Sequence, residues 1–246
     1  MLAIIGGSGL SQLDGILEIK HRKVARTPYG EPSGPLTFGS VSGRDVVFLA
    51  RHGYGHTMAP HEVNYRANLW ALKEEKVEGI VSVASVGGIR KDLGPGTLLL
   101  PDQIIDYTWG RGSTFFEGAD APVTHIDFTE PYSTSVRERI RQAARLCGER
   151  LVEGGVYAAT QGPRLETAAE INRMERDGAD VVGMTGMPEA VLARELGLDY
   201  AAIAVVANYA AGRGDSARAI SIARIAEVLE EAMGRVRRII GQLAAG

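Results

Sequence analysis

Apolar runs of strand length alternate with amphipathic stretches along the whole chain. LAII (2–5) is a short apolar run that ends in GGSG, and PLTFGSVSGRDVVFLARHG (35–53) predicts a hairpin turning at Ser42-Gly43. GIVSVASVGG (79–88) predicts a strand running into glycines, and GTLLLPDQIIDY (96–107) is a further apolar stretch. GGVYAATQGPR (154–164), ADVVGMTG (179–186) and AAIAVVAN (201–208) predict three more strands, each leaving into a polar or glycine-rich loop.

Between these runs the apolar spacing lengthens to that of a helix. HEVNYRANLWALKEEK (61–76) places Val63, Ala67, Leu69, Trp70 and Leu72 on or near one face. STSVRERIRQAARLCG (133–148) has Ser or Thr as a cap and Gly148 as a terminator. ETAAEINRMERDG (166–178) and MPEAVLARELG (187–197) predict two more helices, the second with Pro188 near its first turn. From Ala219 to Leu243 apolar residues recur at helical spacing. The alternation predicts a single α/β domain over residues 1–246, with a central mixed β-sheet flanked by helices. In such sheets ligands sit in the loops at strand ends.

Composition narrows the class. A chain of 246 residues, 45% hydrophobic and 23% charged, is globular. A net charge of −3 offers no global field for a nucleic acid polymer. No apolar run approaches a membrane span, and the N-terminus lacks a signal-peptide pattern, so a cytoplasmic location is expected. The single cysteine, Cys147, rules out an intramolecular disulfide and a multi-cysteine zinc site.

The candidate chemistry lies at the strand exits. The glycines of GGSG allow backbone N–H groups to converge on an anion, with the Ser8 hydroxyl as a further donor; a plain tight turn is the alternative. The spacing of a dinucleotide fingerprint is absent, and no Walker lysine follows. Arg51 and His52 follow an apolar strand directly, so Arg51 either clamps a phosphate or forms a surface salt bridge. Thr185 either caps the helix after it or lends its hydroxyl to an anion site. Glu166 reads as an early-turn helix acid or a site carboxylate. Asn208 ends an apolar strand with an un-ionisable amide, as a cap or as a reader of a ligand.

Taken together, GGSGL, TPYGEPS, LARHG, HEVNYRANLWALK, TQGPRLET, VGMTGMPEAVLARE and VVAN, in that order, resemble the trimeric purine nucleoside phosphorylase and methylthioadenosine phosphorylase family over nearly the whole chain. The resemblance implies phosphorolysis of an N-glycosidic bond, with inorganic phosphate as co-substrate and no metal or organic cofactor. It implies phosphate binding by Ser8, Arg51, His52, Ser85 and Thr185, with catalytic roles for His52 and Asn208. Met184 would meet the ribose; Leu165, Glu166, Asn208 and Ala210 would surround the base. Ala84 stands where many relatives carry threonine, and Leu165 where many carry phenylalanine.

The resemblance also bears on specificity. Adenine-using relatives carry Asp-x-Asp where this chain has Asn208-Tyr209-Ala210, and relatives using 6-oxopurines carry Glu with Asn. Asn208 can donate to a 6-oxo group and accept from N7–H, and Glu166 can accept from the N1–H that adenine lacks. Relatives using ordinary nucleosides place a histidine near the start of the last helix. Here the histidines are at 21, 52, 56, 61 and 125, and AISIARIAEV offers Ile222 and Ile225 as an apolar wall. His125 matches a family position that reaches into the neighbouring subunit's site, which implies an oligomer, a homotrimer by resemblance. The expected substrate is 5′-methylthioinosine. The rivals are inosine or guanosine, methylthioadenosine, and a nucleoside-binding module without catalysis.

Overall fold

The computed structural model describes residues 1–10, 13, 15–118 and 122–246. Its centre is one sheet of eleven strands. Four parallel strands form its core: β1 (Leu2–Gly6), β4 (Arg44–Ala50), β5 (Gly79–Gly88) and β11 (Tyr200–Tyr209). These are the near-continuous apolar runs of the sequence, as expected of strands covered on both faces. The hairpin partner β3 (Leu36–Val41) pairs antiparallel with β4 through Ser42 and Gly43, both at positive φ (50° and 77°).

At the edge beside β3 lies β2 (Glu18–Lys23), exposed throughout and without an apolar pattern to announce it. Its lysines and glutamate suit an edge that must not pair with another sheet. The apolar segment 96–107 is two strands, β6 (Leu98–Leu100) and β7 (Gln103–Asp106), interrupted at Pro101-Asp102. Proline cannot donate to a ladder, so one continuous strand was not available there. The remaining strands are β8 (Val152–Glu153), β9 (Val156–Ala159) and β10 (Val181–Gly183).

The helices follow the predicted spans, all but α4 with later starts. In α1 (Tyr65–Glu74) the Asn64 side chain accepts from Ala67 N–H, so the helix begins four residues after His61. Ser133 caps α2 (Thr134–Leu146), and Cys147 is its half-buried C-cap residue, next to Gly148 at φ 71°. Thr167 and Glu170 form a reciprocal capping box on α3 (Ala168–Arg176). The fourth helix is α4 (Gly186–Glu195), and α5 (Ile222–Ala245), capped by Ser221, is the longest. One stripe of α5 buries Leu229, Met233, Val236, Ile239, Ile240 and Leu243. At roughly 1.5–3 kcal/mol per large apolar side chain, that stripe fixes α5 against β11 and α2.

The sheet forks at β5. Its first part pairs with β1 on one side and β11 on the other, while Gly88 and Gly87 pair antiparallel with Val181 and Val182 of β10. Any Cβ at Gly88 would lie 1.9 Å from the Leu93 carbonyl oxygen, so only glycine allows the close approach at the fork. On β11 the register shifts between Val206 and Asn208, leaving Ala207 as a bulge residue.

Candidate active site

A cavity of about 570 Å³ opens at the fork, where β1, β4, β5, β10 and β11 end. Ser8, Arg51, His52, Ser85, Met184, Thr185, Leu165, Glu166, Asn208, Ala210, Ile222 and Ile225 all line it. Residues as far apart in the chain as Ser8 and Ile225 thus meet at one end of the sheet, where an α/β fold places its ligand.

Arg51 departs from the surface salt bridge, and its internal bonds limit what it can offer an anion. It is fully buried, so it is no surface salt bridge. Its Nε and Nη2 donate to the two carboxylate oxygens of Glu189 at 2.6 and 2.8 Å. Nη2 also donates to Ser82 Oγ at 2.6 Å and Nη1 to the Val83 carbonyl at 3.0 Å. With those bonds made, one Nη1 hydrogen is left, and a bidentate clamp on a ligand is not available. Burial opposes the charge, but Glu189 overrides it and holds the guanidinium cationic. Nη1 abuts the GGSG loop: a Cβ at Gly7 would stand 2.7 Å from it.

His52 packs beside this pair. Its Nδ1 lies 2.9 Å from the Met58 carbonyl, which can only accept, so Nδ1 carries the proton and Nε2 is left as an acceptor. Burial, helped by the neighbouring Arg51 cation, pushes the imidazole down to about 4. His56, which the strand-exit reading passed over, lies against it with ring centroids 4.5 Å apart. Its Nε2 is 3.4 Å from Ser8 Oγ, and burial and Arg51 lower its pKa too. The available signal was the run His52-Gly53-Tyr54-Gly55-His56. Both glycines take positive φ (75° and 89°), and the tight loop returns the second histidine to the first.

Thr185 occupies the N-cap position of α4 but makes no side-chain capping bond. Met187 is non-helical (φ −119°, ψ 140°), so regular helix starts only at Pro188 and the Thr185 side chain, which lines the cavity, is not spent on capping. Gly186 fits there because a Cβ would lie 2.0 Å from the Tyr157 ring.

Glu166 is not an early-turn helix acid. Thr167 is the cap and Glu170 closes its box, which leaves Glu166 outside α3. Thr160 Oγ1 donates to Glu166 Oε1 at 2.7 Å, so one carboxylate oxygen is held while the other stays available. Asn208 does not cap a helix either. It sits just past the Ala207 bulge, and its Nδ2 donates to the Tyr209 carbonyl at 2.6 Å. One amide hydrogen and the amide oxygen remain for a ligand.

The far wall is apolar. Ile222 is the first residue of α5 and 67% exposed, Ile225 is half-buried, and Ile220 and Leu229 join them. Helical spacing offered Ile220 and Leu229 equally well as core positions. His125 does not line the cavity of its own chain; it is exposed.

The hydroxyls of Ser8, Ser85 and Thr185 line the cavity beside a buried cation, and a carboxylate and an amide line it too, a set of donors and acceptors suited to a polar ligand with an anionic part. The model of the phosphorylase superfamily matches residues 1–245, and the chain belongs to that family. A probable S-methyl-5′-thioinosine phosphorylase of Xanthomonas campestris pv. campestris is 52% identical over 245 residues, 100% of this chain and 97% of that protein. A 6-oxopurine nucleoside phosphorylase of Pyrococcus furiosus is 44% identical, over 97% of this chain and 90% of its own length. Among solved structures, methylthioadenosine phosphorylase from Schistosoma mansoni in complex with adenine superposes with a TM-score of 0.94 at 33% identity, over 99% of this chain and 90% of that one.

Proposed function

We propose that this chain, a single domain over residues 1–246, catalyses the phosphorolysis of 5′-methylthioinosine to hypoxanthine and 5-methylthioribose 1-phosphate. The observation that carries the base assignment is the pairing of Glu166 and Asn208 on one cavity. A 6-oxopurine presents N1–H to the free Glu166 oxygen and O6 to the Asn208 amide, with N7 beside the same side chain. Adenine has no N1–H and would leave the carboxylate without a donor, at a cost of a few kcal/mol. Two of the relatives reported above carry names that agree with a 6-oxopurine.

The reaction needs no cofactor. Hydrogen phosphate attacks the anomeric carbon as the C–N bond breaks, and its proton ends on the departing base. Ser8, Ser85, Thr185 and the remaining Arg51 N–H would hold the oxyanion, with His56 beside Ser8. His52 offers an acceptor at Nε2, which suits the P–OH of hydrogen phosphate and would orient it for attack. Met184 would pack on the ribose and Leu165 on the base. Asn208 would stabilise negative charge on the leaving base by donating as it grows.

The wall of Ile220, Ile222, Ile225 and Leu229 favours a methylthio group over a hydroxyl at the 5′ end. His125, exposed and outside its own cavity, is placed by this reading at a neighbouring copy's 5′ end in a homotrimer. No described helix is long and apolar enough to cross a membrane, which agrees with a cytoplasmic role.

The deciding experiment is a phosphate-dependent assay comparing methylthioinosine, methylthioadenosine, inosine and guanosine. Dominant turnover of methylthioinosine is the expected result. Dominant turnover of methylthioadenosine would overturn the Glu166–Asn208 argument, and dominant turnover of inosine the apolar-wall argument.

A further inference from the structure

One wall of the cavity lies where β9 and β10 part company. They run parallel up to the pair Ala159 and Gly183, with Thr160 N–H donating to Gly183 O at 2.8 Å. Beyond that point one chain turns towards Glu166 and the other towards Thr185. Parting leaves strand-end carbonyls without ladder partners, and buried carbonyls need donors.

One side chain gathers them. Arg111, in the loop after β7, donates from Nη2 to the carbonyls of Thr160 at 3.2 Å and Gln161 at 2.8 Å. From Nη1 it donates to the carbonyls of Met184 at 2.8 Å and Met187 at 2.6 Å, with Tyr65 Oη at 3.4 Å. Its Nε donates to Gln161 Oε1 at 3.2 Å. The guanidinium lies over the Tyr65 ring, 5.6 Å from its centroid. Tyr65 is itself held by a bond to the Pro60 carbonyl at 2.9 Å, and Pro60 lines the cavity.

The loop that carries Arg111 is braced on both sides. Asp106 accepts from Thr108 N–H and Oγ1 at 2.8 and 2.7 Å. Glu195 of α4 accepts from Thr114 Oγ1 and Phe115 N–H, both at 2.7 Å. Phe115 is buried against Tyr29 and Trp70. A braced arm ending in a planar five-donor fork can set a distance between two backbones; a lysine, with three donors around one nitrogen, cannot span both.

We propose that Arg111 is a positioning residue that fixes the gap between the base-reading segment (Thr160 to Glu166) and the phosphate-side segment (Met184 to Met187). It touches neither substrate. It acts through Thr160, whose hydroxyl holds Glu166, and through Met184, which precedes Thr185. This inference rests on the phosphorolysis reading for its substrates, but not on which nucleoside is preferred.

The test is Arg111→Lys, run with whichever nucleoside the wild-type enzyme turns over fastest, so that a wrong substrate assignment shows in the wild type and leaves this comparison intact. A folded variant with nearly wild-type melting temperature should lose about 100-fold in kcat/KM, the scale of a misplacement of about an ångström. KM should rise for both nucleoside and phosphate, and the wild-type discrimination between 6-oxo and 6-amino bases, whichever it favours, should narrow, which a role in stability alone would not produce. Wild-type kinetics in the folded variant would overturn the proposal. Should Arg111→Lys fail to fold, Gln161→Leu decides: it removes the one side-chain amide acceptor of Arg111. It should raise the nucleoside KM several-fold, and unchanged kinetics there would equally overturn the proposal.

Discussion

Thr160 donates its hydroxyl to Glu166 at 2.7 Å from the strand exit that pairs with Gly183. The bond orients a carboxylate that would otherwise swing freely in a half-exposed loop, and it holds one of the two oxygens of a residue that lines the cavity. Replacing Thr160 by Val keeps the shape and removes the donor. A hydrogen bond to a charged group contributes about 1.5–3 kcal/mol. We expect kcat/KM for methylthioinosine to fall about tenfold or more, with phosphate KM nearly unchanged. Equal losses in both substrates would show that Thr160 supports the fold and does not orient Glu166.

Asn208→Asp replaces the donor that faces O6 with an acceptor. The ratio of methylthioinosine to methylthioadenosine turnover should drop by at least about tenfold, since a mismatched buried polar pair costs more than 1.4 kcal/mol. Competition between the two nucleosides measures that ratio directly. An unchanged ratio would mean that Asn208 does not read the base.

Ile222→His puts a polar side chain on the exposed first residue of α5, where little packing is lost. Inosine should gain on methylthioinosine by about tenfold in relative kcat/KM, in line with about 1–3 kcal/mol for a change in one apolar pocket contact. If the relative preference stays put, the apolar wall does not meet the 5′ group.

Glu189 accepts from Arg51, Ser82 and Tyr200, all within 2.8 Å and out of contact with solvent. Glu189→Gln leaves the Arg51 cation buried without its counter-charge. Urea denaturation should show a loss of about 3–5 kcal/mol, the usual result of removing one partner of a buried pair. A loss under about 1 kcal/mol would mean that water or a shifted side chain replaces the carboxylate.

His52 titrates at about 4 in the fold against an ordinary 6.5. Between those values the unfolded chain binds a proton that the folded chain refuses. Stability from this group is therefore complete above pH 6.5 and is lost as pH falls towards 4, by up to about 3 kcal/mol. Urea midpoints taken from pH 7.5 to 4.5 should fall less steeply for His52→Asn than for wild type. Parallel curves would place the acid sensitivity elsewhere.

The periodicities announced the main strands and the five α-helices of the described residues because they are local properties, repeated every two or every 3.6 residues. The strand β2 escaped because an exposed edge carries no apolar alternation to read. Glu166 and Thr185 could each be placed next to a helix start, but their freedom from capping could not. It depends on Thr167 and Glu170 closing their own box, and on Met187 leaving the helix. His56 was visible only as a residue of a glycine-rich turn, and its contact with Ser8 joins positions 48 apart.

The sequence by itself determined the main strands and helices and most of the side-chain types, Glu166 and Asn208 among them, that the strand-end loops carry. The tertiary structure decided what those side chains have left to offer. It spent Arg51 on Glu189, kept His52 neutral, aimed Asn208 with a bulge at Ala207, and assigned the carbonyls of two diverging strands to Arg111. The physical reason is range. A residue's chemical type and local period are written at its own position, whereas its partners, its burial and its remaining hydrogen bonds come from neighbours brought in by the sheet from far along the chain.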